Sequence, residues 1–328
     1  IQQPQQQKQK QQRPENAGGT LVVYAGPTQP ASSGPKHKLY HQNLRFFLRH
    51  GLRNVSDSIR TIVVVTATAQ VEPTLMATPG VEWVVRRDRC YDLEAHRTGL
   101  LHVGPSAVRR CSAFVFLNCG LVGPFVPAYV LRLGTHWSNF FVSWLTKETK
   151  LVGLSVNCKG KLGHNWPHVQ SMLWAVDGTG LRIVQEAFFH DNLSFSSDAA
   201  HNLTDKQENK PESTAAVAAT VPGMIECVAA DGKSVRSLSR DELIVKYEMG
   251  ISRAITEAGF RFMAINAWQA NRDWLSGRHD CNDLWNGKQY HDKTTIHPFD
   301  AIFFKVSRFK SREVESMMEL MDNLASVS

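Results

Sequence analysis

The chain has 328 residues, of which 42% are hydrophobic, so it is long enough for one large α/β domain or two smaller ones. Its net charge of +7 is modest for this length, and the basic residues do not alternate with aromatic ones, which disfavours a nucleic-acid-binding protein. The sequence contains no run of about 18 apolar residues, which argues against a membrane-spanning helix.

The N-terminal segment, residues 1–19, is rich in glutamine and has no apolar periodicity. Such a segment buries too little surface to offset its ordering entropy, so we expect a flexible tether. A tether of this kind is typical of the stem of a type II membrane protein, and also of a plain disordered tail. The folded domain is expected at residues 20–312, followed by an amphipathic helix at residues 313–328.

The first half of the folded domain alternates apolar strands with helices. Strands are predicted at residues 20–26, 61–68, 81–85 and 114–117, and helices at 41–51 and 92–101. This alternation indicates parallel pairing in a sheet that helices cover on both faces.

The second half is less regular. Residues 151–158 and 297–309 are predicted to be strands, 169–177 has helical spacing, 181–189 fits a helix or a strand, and 194–219 is predicted to be a long polar loop. The clearest helix is predicted at residues 239–259, with Ser239 and Glu242 as a capping box.

The six cysteines form no CxxC pair and no paired Cys/His spacing, so a structural zinc site is not expected. Their even number permits disulfides, but the sequence does not determine a pairing. Three Asn-x-Ser/Thr sequons make Asn54, Asn192 and Asn202 predicted N-glycosylation sites. Together they favour the secretory pathway.

Polar residues follow several of the predicted strands, whereas GxGxxG, P-loop, GxSxG and HExxH motifs are all missing from the sequence. These polar residues are Arg86 to Asp88, Asn118 to Gly120, and Asn157, while the turn after Ala25-Gly26 is a weak nucleotide-binding signal. In a parallel sheet they meet at one edge, where open α/β sheets bind ligands. The alternative is that they are ordinary loop residues.

Seven segments occur in an order that resembles the rhamnan synthesis protein F type of glycosyltransferase. They are CYDLEAH, FVFLNCGLVGPFVP followed by Trp137, KLVGLSVNC, PHVQSMLWAVDGTGL, YEMGIS and HPFDAIFFK. The resemblance covers residues 20 to 309 and implies a GT-A-like, Rossmann-type α/β fold with a mixed, mainly parallel sheet and flanking helices. It further implies one glycosyltransferase domain at 20–312, with a donor half at about 20–130 and an acceptor half at about 131–312.

The resemblance also implies a donor site, because GT-A enzymes usually place Asp-x-Asp, which holds Mn²⁺ or Mg²⁺, after the strand equivalent to FVFL. Here Asn118-Cys119-Gly120 follows, which is a poor set of ligands for a hard cation. We therefore predict a metal-independent transferase with no tightly bound cofactor, although Asp88 and Asp92 remain candidate ligands.

The donor, a UDP-, GDP- or dTDP-sugar, would then have its diphosphate charge met by Arg86, Arg87, Lys305, Arg308 or backbone N–H groups. The predicted donor-binding residues are Ala25, Gly26, Arg86, Asp88, Asp92, Asn118, Cys119, Gly120 and Lys305.

Transfer with inversion needs a general base near the acceptor hydroxyl. Glu248, within KYEMGIS, is the first candidate, and its alternative is a surface carboxylate on an amphipathic helix; Asp177 is the next candidate. Predicted acceptor-binding residues are Trp166, His168, Gln170 and Ser171, where the tryptophan can stack on a sugar and the polar groups can bind its hydroxyls.

The expected function is transfer of a sugar, for example a deoxyhexose such as rhamnose or fucose, to a hydroxyl of a glycan or glycoprotein. The expected location is the Golgi lumen, with a type II anchor preceding the sequence given, and no nucleic acid as partner. The alternative is a catalytically inactive, transferase-like carbohydrate-binding protein. The sequence leaves open the donor sugar, acceptor, linkage, stereochemical course, disulfide pairing and oligomeric state.

Overall fold

The computed structural model describes residues 18–189, 224–228, 234–266, 269–270, 272–274, 276, 301–305 and 311–327. The predicted sites Asn192 and Asn202 and the predicted loop at 194–219 lie outside these residues. In the described part of the chain, no helix has the length and apolar character needed to cross a membrane.

Thirteen strands are found within the described residues. They are β1 (Gly19–Ala25), β2 (Ile59–Thr66), β3 (Val81–Arg86), β4 (Cys111–Asn118), β5 (Leu121–Val122), β6 (Thr149–Gly153), β7 (Val156–Asn157), β8 (His168–Val169), β9 (Leu173–Asp177), β10 (Met224–Val228), β11 (Val235–Ser239), β12 (Arg261–Ala264) and β13 (Phe304–Lys305).

Seven of these strands form one sheet in the order β12-β6-β9-β4-β1-β2-β3. All neighbours pair in parallel except β9, which runs antiparallel to both β4 and β6. This topology confirms the predicted Rossmann-type α/β fold with a mixed, mainly parallel sheet and flanking helices.

The helices cover both faces of this sheet. They are α1 (Pro35–His50), α2 (Pro73–Met76), α3 (Tyr91–Val103), α4 (Pro105–Arg110), α5 (Ala128–Leu131), α6 (Asn139–Val142), α7 (Gly178–Val184), α8 (Arg240–Leu243), α9 (Gly250–Glu257) and α10 (Ser311–Val327), with π-helical turns at Gln185–Phe189 and Ile244–Met249.

The core has two layers because successive residues of a strand point to opposite faces. On β1, Val22 and Tyr24 pack in one apolar cluster with residues of α1 and α6, while Leu21 and Val23 pack in the other with residues of α3, α7 and α9. The strands read as continuous runs of β-branched and aromatic residues because both faces of the sheet are buried.

Most predicted elements of the first half are confirmed, and the second half needs one clear correction. The helical spacing at 169–177 is wrong, since β8 and β9 occupy Val169 and Leu173–Asp177. Residues 172–176 are all buried on both faces of the sheet, and a doubly buried strand has no polar alternation to distinguish it from a helix. The predicted strand at 151–158 is divided between β6 and β7.

The predicted helix at 239–259 is confirmed, but it contains the π-helical turn Ile244–Met249 between α8 and α9. Its capping box is present: the Glu242 N–H donates to Ser239 Oγ at 3.3 Å, and the Ser239 N–H donates to Glu242 Oε2 at 2.7 Å. Part of the predicted strand at 297–309 falls on described residues, and there β13 contains Phe304 and Lys305.

Asn54, the sequon asparagine within the described residues, is exposed and adopts a left-handed backbone with φ of 57°. Its side-chain amide donates to the carbonyls of Leu131 at 2.9 Å and Thr135 at 3.4 Å. The amide that a glycan would modify thus joins two loops, and glycosylation of Asn54 stays a prediction.

At Gly99, α3 packs closely against the sheet. A Cβ atom there would lie 2.6 Å from Val23 Cγ1. We expect Gly99→Ala to lower the free energy of unfolding by about 1–3 kcal/mol, the usual cost of overpacking a core. Thermal denaturation would measure this, with Gly178→Ala as the control because a Cβ on Gly178 meets no atom within 4 Å. Equal stability of the two variants would contradict the packing argument.

Candidate functional site

The carboxyl ends of β1, β2 and β4 lie side by side and form the floor of the candidate site. Ala25 pairs with Asn118 on one side and with Val64 on the other. The Cys119 N–H donates to the Ala25 carbonyl at 2.9 Å, and the Gly26 N–H donates to the Val64 carbonyl at 2.8 Å. The structure therefore brings the predicted donor residues Ala25, Gly26 and Asn118 together.

Asn118 is hydrogen-bonded to Asp92 across this edge. Its Nδ2 donates to Asp92 Oδ2 at 2.6 Å, and its Oδ1 accepts from the Gly120 N–H at 2.9 Å. Asp92 lies in the first turn of α3, where the helix dipole favours a negative charge. Asn118 therefore positions the Asp92 carboxylate and closes its own turn, and Asp92 is the charged group of the pair.

Arg86 holds the segment that leads into α3, which we call the strap (residues 87–91). Its Nη1 donates to the carbonyls of Arg87 at 2.8 Å and Arg89 at 2.7 Å, and its Nη2 donates to the carbonyl of Tyr91 at 2.6 Å. Burial lowers the pKa of the Arg86 guanidinium. Three N–H groups of Arg86 are thus used on the strap, and its predicted contact with the donor stays a prediction.

The strap is also anchored to the hairpin of β10 and β11. A disulfide joins Cys90 to Cys227, and the Cys90 N–H donates to the Glu226 carbonyl at 2.7 Å. Cys90 and Tyr91 both adopt left-handed backbone, with φ of 47° and 51°, a conformation that is costly for residues with side chains. Two unfavourable backbone conformations are thus held in place immediately before Asp92.

Asp88, on the strap, lies near the loop that follows β1. Its Oδ2 accepts a long hydrogen bond of 3.5 Å from Gln29 Nε2. This contact places the predicted donor residue Asp88 on the side of the strap that faces the β1 loop.

Cys119 belongs to the core rather than to the surface of the site. Burial, with the nearby Asp92 carboxylate, raises the pKa of its thiol, so the sulfur stays protonated. Its carbonyl accepts from Asn43 Nδ2 at 2.8 Å, and its N–H is bonded to Ala25. Its side chain is buried and both of its backbone groups are hydrogen-bonded, and the contact of Cys119 with the donor stays a prediction.

Lys305 brings a cation to the same edge. It pairs with Leu121 in the two-stranded ladder of β13 and β5, three residues beyond Asn118. Its contact with an anionic donor stays a prediction.

Glu248 lies in the π-helical turn and contacts two of the predicted acceptor residues. Ser171 Oγ donates to Glu248 Oε2 at 3.2 Å, and His168 Nε2 lies 4.0 Å from Glu248 Oε1. The Glu248 side chain is 21% exposed, whereas that of His168 is 1% exposed. The carboxylate is therefore held between a hydroxyl and an imidazole while keeping access to solvent.

The segment that enters β9 connects Glu248 and its neighbours to the carboxyl ends of β1 and β4, the edge of the sheet that we call the donor edge after its predicted role. The Asn118 N–H donates to the Met172 carbonyl at 3.1 Å, and Ser171 precedes Met172 directly. A continuous path of contacts thus runs from Glu248 through Ser171 to Asn118 and Asp92.

Asp177 is not part of this cluster. Because β9 is antiparallel, Asp177 pairs with Ala113 at the start of β4, which is the opposite edge of the sheet. Its Oδ1 accepts from the Gly180 N–H at 2.8 Å as the N-cap of α7, and its Oδ2 lies 2.5 Å from Lys150 Nζ. The predicted catalytic role of Asp177 is corrected to that of a helix cap and ion-pair partner.

Gln170 and Trp166 differ in their access to a ligand. Gln170 is buried, and its Oε1 accepts from Ser155 Oγ at 2.6 Å, so its predicted acceptor contact is corrected to a structural one. Trp166 is 39% exposed, and its carbonyl accepts from His168 Nδ1 at 2.7 Å. Its exposed ring remains suitable for stacking on a sugar.

Two contacts that support the site were not predicted from the sequence. Ser252, in YEMGIS, accepts a hydrogen bond from the Val169 N–H at 2.9 Å and so fixes β8 against α9. The pairing of Cys90 with Cys227 joins residues 137 positions apart. Both contacts join residues that are far apart in the sequence, so no local sequence pattern predicts them.

A metal site of three or more His, Cys, Asp or Glu side chains is not found within the described ranges. At the donor edge the carboxylate nearest to Asn118 is Asp92, which already accepts its Nδ2. Independence from metal stays a prediction.

The sequence matches no protein-family model, and comparison with curated proteins finds no significant match. Among solved structures, the chain matches a cytidylyltransferase from Leptospira borgpetersenii serovar Hardjo-bovis at 11% identity and a TM-score of 0.27, over 51% of this chain and 63% of that one. It also matches mouse xyloside xylosyltransferase 1 at 8% identity and a TM-score of 0.26, over 50% of this chain and 68% of that one. The first match spans less than two thirds of the other protein, and neither carries a functional argument.

The disulfide at the strap gives a prediction that needs no substrate. We expect the double variant Cys90→Ser, Cys227→Ser to show faster amide hydrogen exchange at residues 87–92, because the left-handed residues lose their covalent anchor. Exchange in β1 and β4 should stay slow. Cys111→Ser, which changes a free thiol, is the control, and unchanged exchange in the strap of the double variant would contradict the anchoring role.

Proposed function

We propose that this protein is a nucleotide-sugar-dependent glycosyltransferase that uses Glu248 as the general base. The observation that carries the proposal is the path of contacts from Glu248 through Ser171 to Asn118 and Asp92 at the carboxyl edge of a GT-A-like sheet. It supports a donor subsite and an acceptor subsite that are directly adjacent, as group transfer between two bound substrates requires.

In the proposed reaction the acceptor hydroxyl loses its proton to the Glu248 carboxylate as its oxygen attacks the anomeric carbon. The bond between that carbon and the diphosphate oxygen breaks, and the nucleoside diphosphate leaves with the electron pair. Attack on the face opposite to the leaving group inverts the configuration. The partial exposure of Glu248 supports this role, because the base must reach a hydroxyl that arrives from solvent.

The leaving diphosphate is proposed to be neutralised by Lys305 and by backbone N–H groups, without a divalent cation. Asp92, held by Asn118, is proposed to accept hydrogen bonds from hydroxyls of the donor. Arg86 acts indirectly, by shaping the strap on which Asp88 lies and which leads into Asp92.

The donor is proposed to carry a deoxyhexose such as rhamnose or fucose, and the acceptor to be a hydroxyl of a glycan or glycoprotein. The proposed location is the Golgi lumen, with a type II anchor. The Cys90–Cys227 disulfide supports an oxidising compartment, where such bonds persist.

Replacement of the proposed base separates catalysis from binding. We expect Glu248→Gln to lower kcat by about 10²- to 10⁴-fold, the usual contribution of a general base, while the Kd for the donor is unchanged. Transfer assays and thermal-shift titration with UDP-, GDP- and dTDP-sugars would measure both quantities.

Glu257→Gln is the matched control, because Glu257 lies in the following helix and forms an exposed ion pair with Arg253. Full activity of Glu248→Gln would refute the assignment of the base. A wild-type protein that binds nucleotide sugars or glycans but transfers nothing would favour the carbohydrate-binding alternative instead.

Chelation tests the proposed absence of a metal. We expect the thermal stabilisation by the nucleotide-sugar donor to be the same with and without EDTA, because Lys305 and backbone groups meet the diphosphate charge. Adding Mn²⁺ or Mg²⁺ back is the control. Loss of donor binding in EDTA that either cation restores would show that Asp92 or Asp88 takes part in a metal site.

A further inference from the structure

The imidazole of His168 is held in one orientation beneath Glu248. Its Nδ1 lies 2.7 Å from the Trp166 carbonyl oxygen, and a carbonyl only accepts, so Nδ1 carries the hydrogen. In the neutral ring the lone pair then lies on Nε2. The side chain is 1% exposed, so bulk water has little access to it.

The backbone around His168 is fixed from two sides. His168 pairs with Asn157 in the ladder of β7 and β8, and the next N–H, that of Val169, donates to Ser252 Oγ at 2.9 Å. Ser252 lies in α9, which continues the π-helical turn that contains Glu248. One short segment thus sets the position of the imidazole relative to the carboxylate.

His168 Nε2 lies near one carboxylate oxygen of Glu248, and Ser171 binds the other. Ser171 Oγ donates to Oε2 at 3.2 Å, and His168 Nε2 lies 4.0 Å from Oε1. At 4.0 Å the two atoms are too far apart for a hydrogen bond. A proton shared by the two groups would be carried by a hydrogen bond between these atoms, which needs about 1 Å of approach or one bridging water.

We propose that His168 is the proton acceptor behind Glu248, an inference that rests on the proposed function of Glu248. The proton that leaves the acceptor hydroxyl first joins Glu248 and then moves to His168 Nε2. The product is an imidazolium paired with a regenerated carboxylate, and no electrons are transferred. Ser171 is a positioning residue that keeps Oε2 occupied, so that Oε1 is the oxygen facing the imidazole.

The substitution His168→Asn distinguishes the roles of the two ring nitrogens. The new amide can still donate to the Trp166 carbonyl, but it has no counterpart to Nε2. We expect His168→Asn to lower kcat by about 10- to 100-fold with the donor KM unchanged. The control is His102→Asn, which changes an exposed histidine paired with Glu82 and should leave kcat unchanged. An active wild type with an unchanged kcat in His168→Asn would overturn the relay alone, whereas a wild type without transfer activity would overturn the proposed function.

A measurement on the wild type without substrate keeps the proposal testable if His168→Asn fails to fold. Protein labelled with ¹⁵N-histidine, with His168 assigned by its loss in His168→Gln, reports by NMR which ring nitrogen carries the hydrogen. We expect the hydrogen on Nδ1 and a lone pair on Nε2. A hydrogen on Nε2, alone or in a ring already charged, would overturn the proposal, because Nε2 could then accept no further proton.

Discussion

The candidate site depends on the reversed direction of β9. This strand is antiparallel to β4 and β6, so its first residue, rather than its last, lies at the edge where the parallel strands end. The segment that precedes it, residues 168–172, therefore reaches the donor edge, and the Met172 carbonyl accepts the Asn118 N–H there. Had β9 run parallel to β4, Asp177 would lie at this edge and Glu248 would have no contact leading to Asp92.

The sequence predicted the strands of the first half well because each one is a run of apolar residues. Two of them, β3 and β4, also end at a polar residue, Arg86 and Asn118. It did not predict the direction of β9, because a strand buried on both faces has the composition of a buried helix. The resemblance in motif order grouped Glu248 with His168 and Ser171, which no spacing rule connects across 77 to 80 residues.

The hydrogen-bond partners of the candidate site residues were not predicted. Arg86 and Asn118 were expected to bind the donor directly, and the structure shows that Arg86 also donates to the strap and that Asn118 bonds to Asp92 and Gly120. Gln170 and Cys119 are buried. Residue type and position along a strand can predict that a side chain lies at the edge of the sheet. Its hydrogen-bond partners, however, come from segments that are distant in the sequence. Hydrogen bonds from such polar residues fix the positions of the neighbouring residues that are proposed to contact a ligand.

The disulfide at the strap has a consequence for the order in which the site is completed. Cys90 and Cys227 are separated by 137 residues, and the bond fixes the backbone immediately before Asp92. During synthesis from the N-terminus, β1 to β4 and the whole parallel half of the sheet emerge well before Cys227 does. The strap can be locked only after the chain has grown past β10 and met an oxidant. The geometry of the proposed donor site is therefore completed late in biogenesis, although the residues that form its floor are synthesised early.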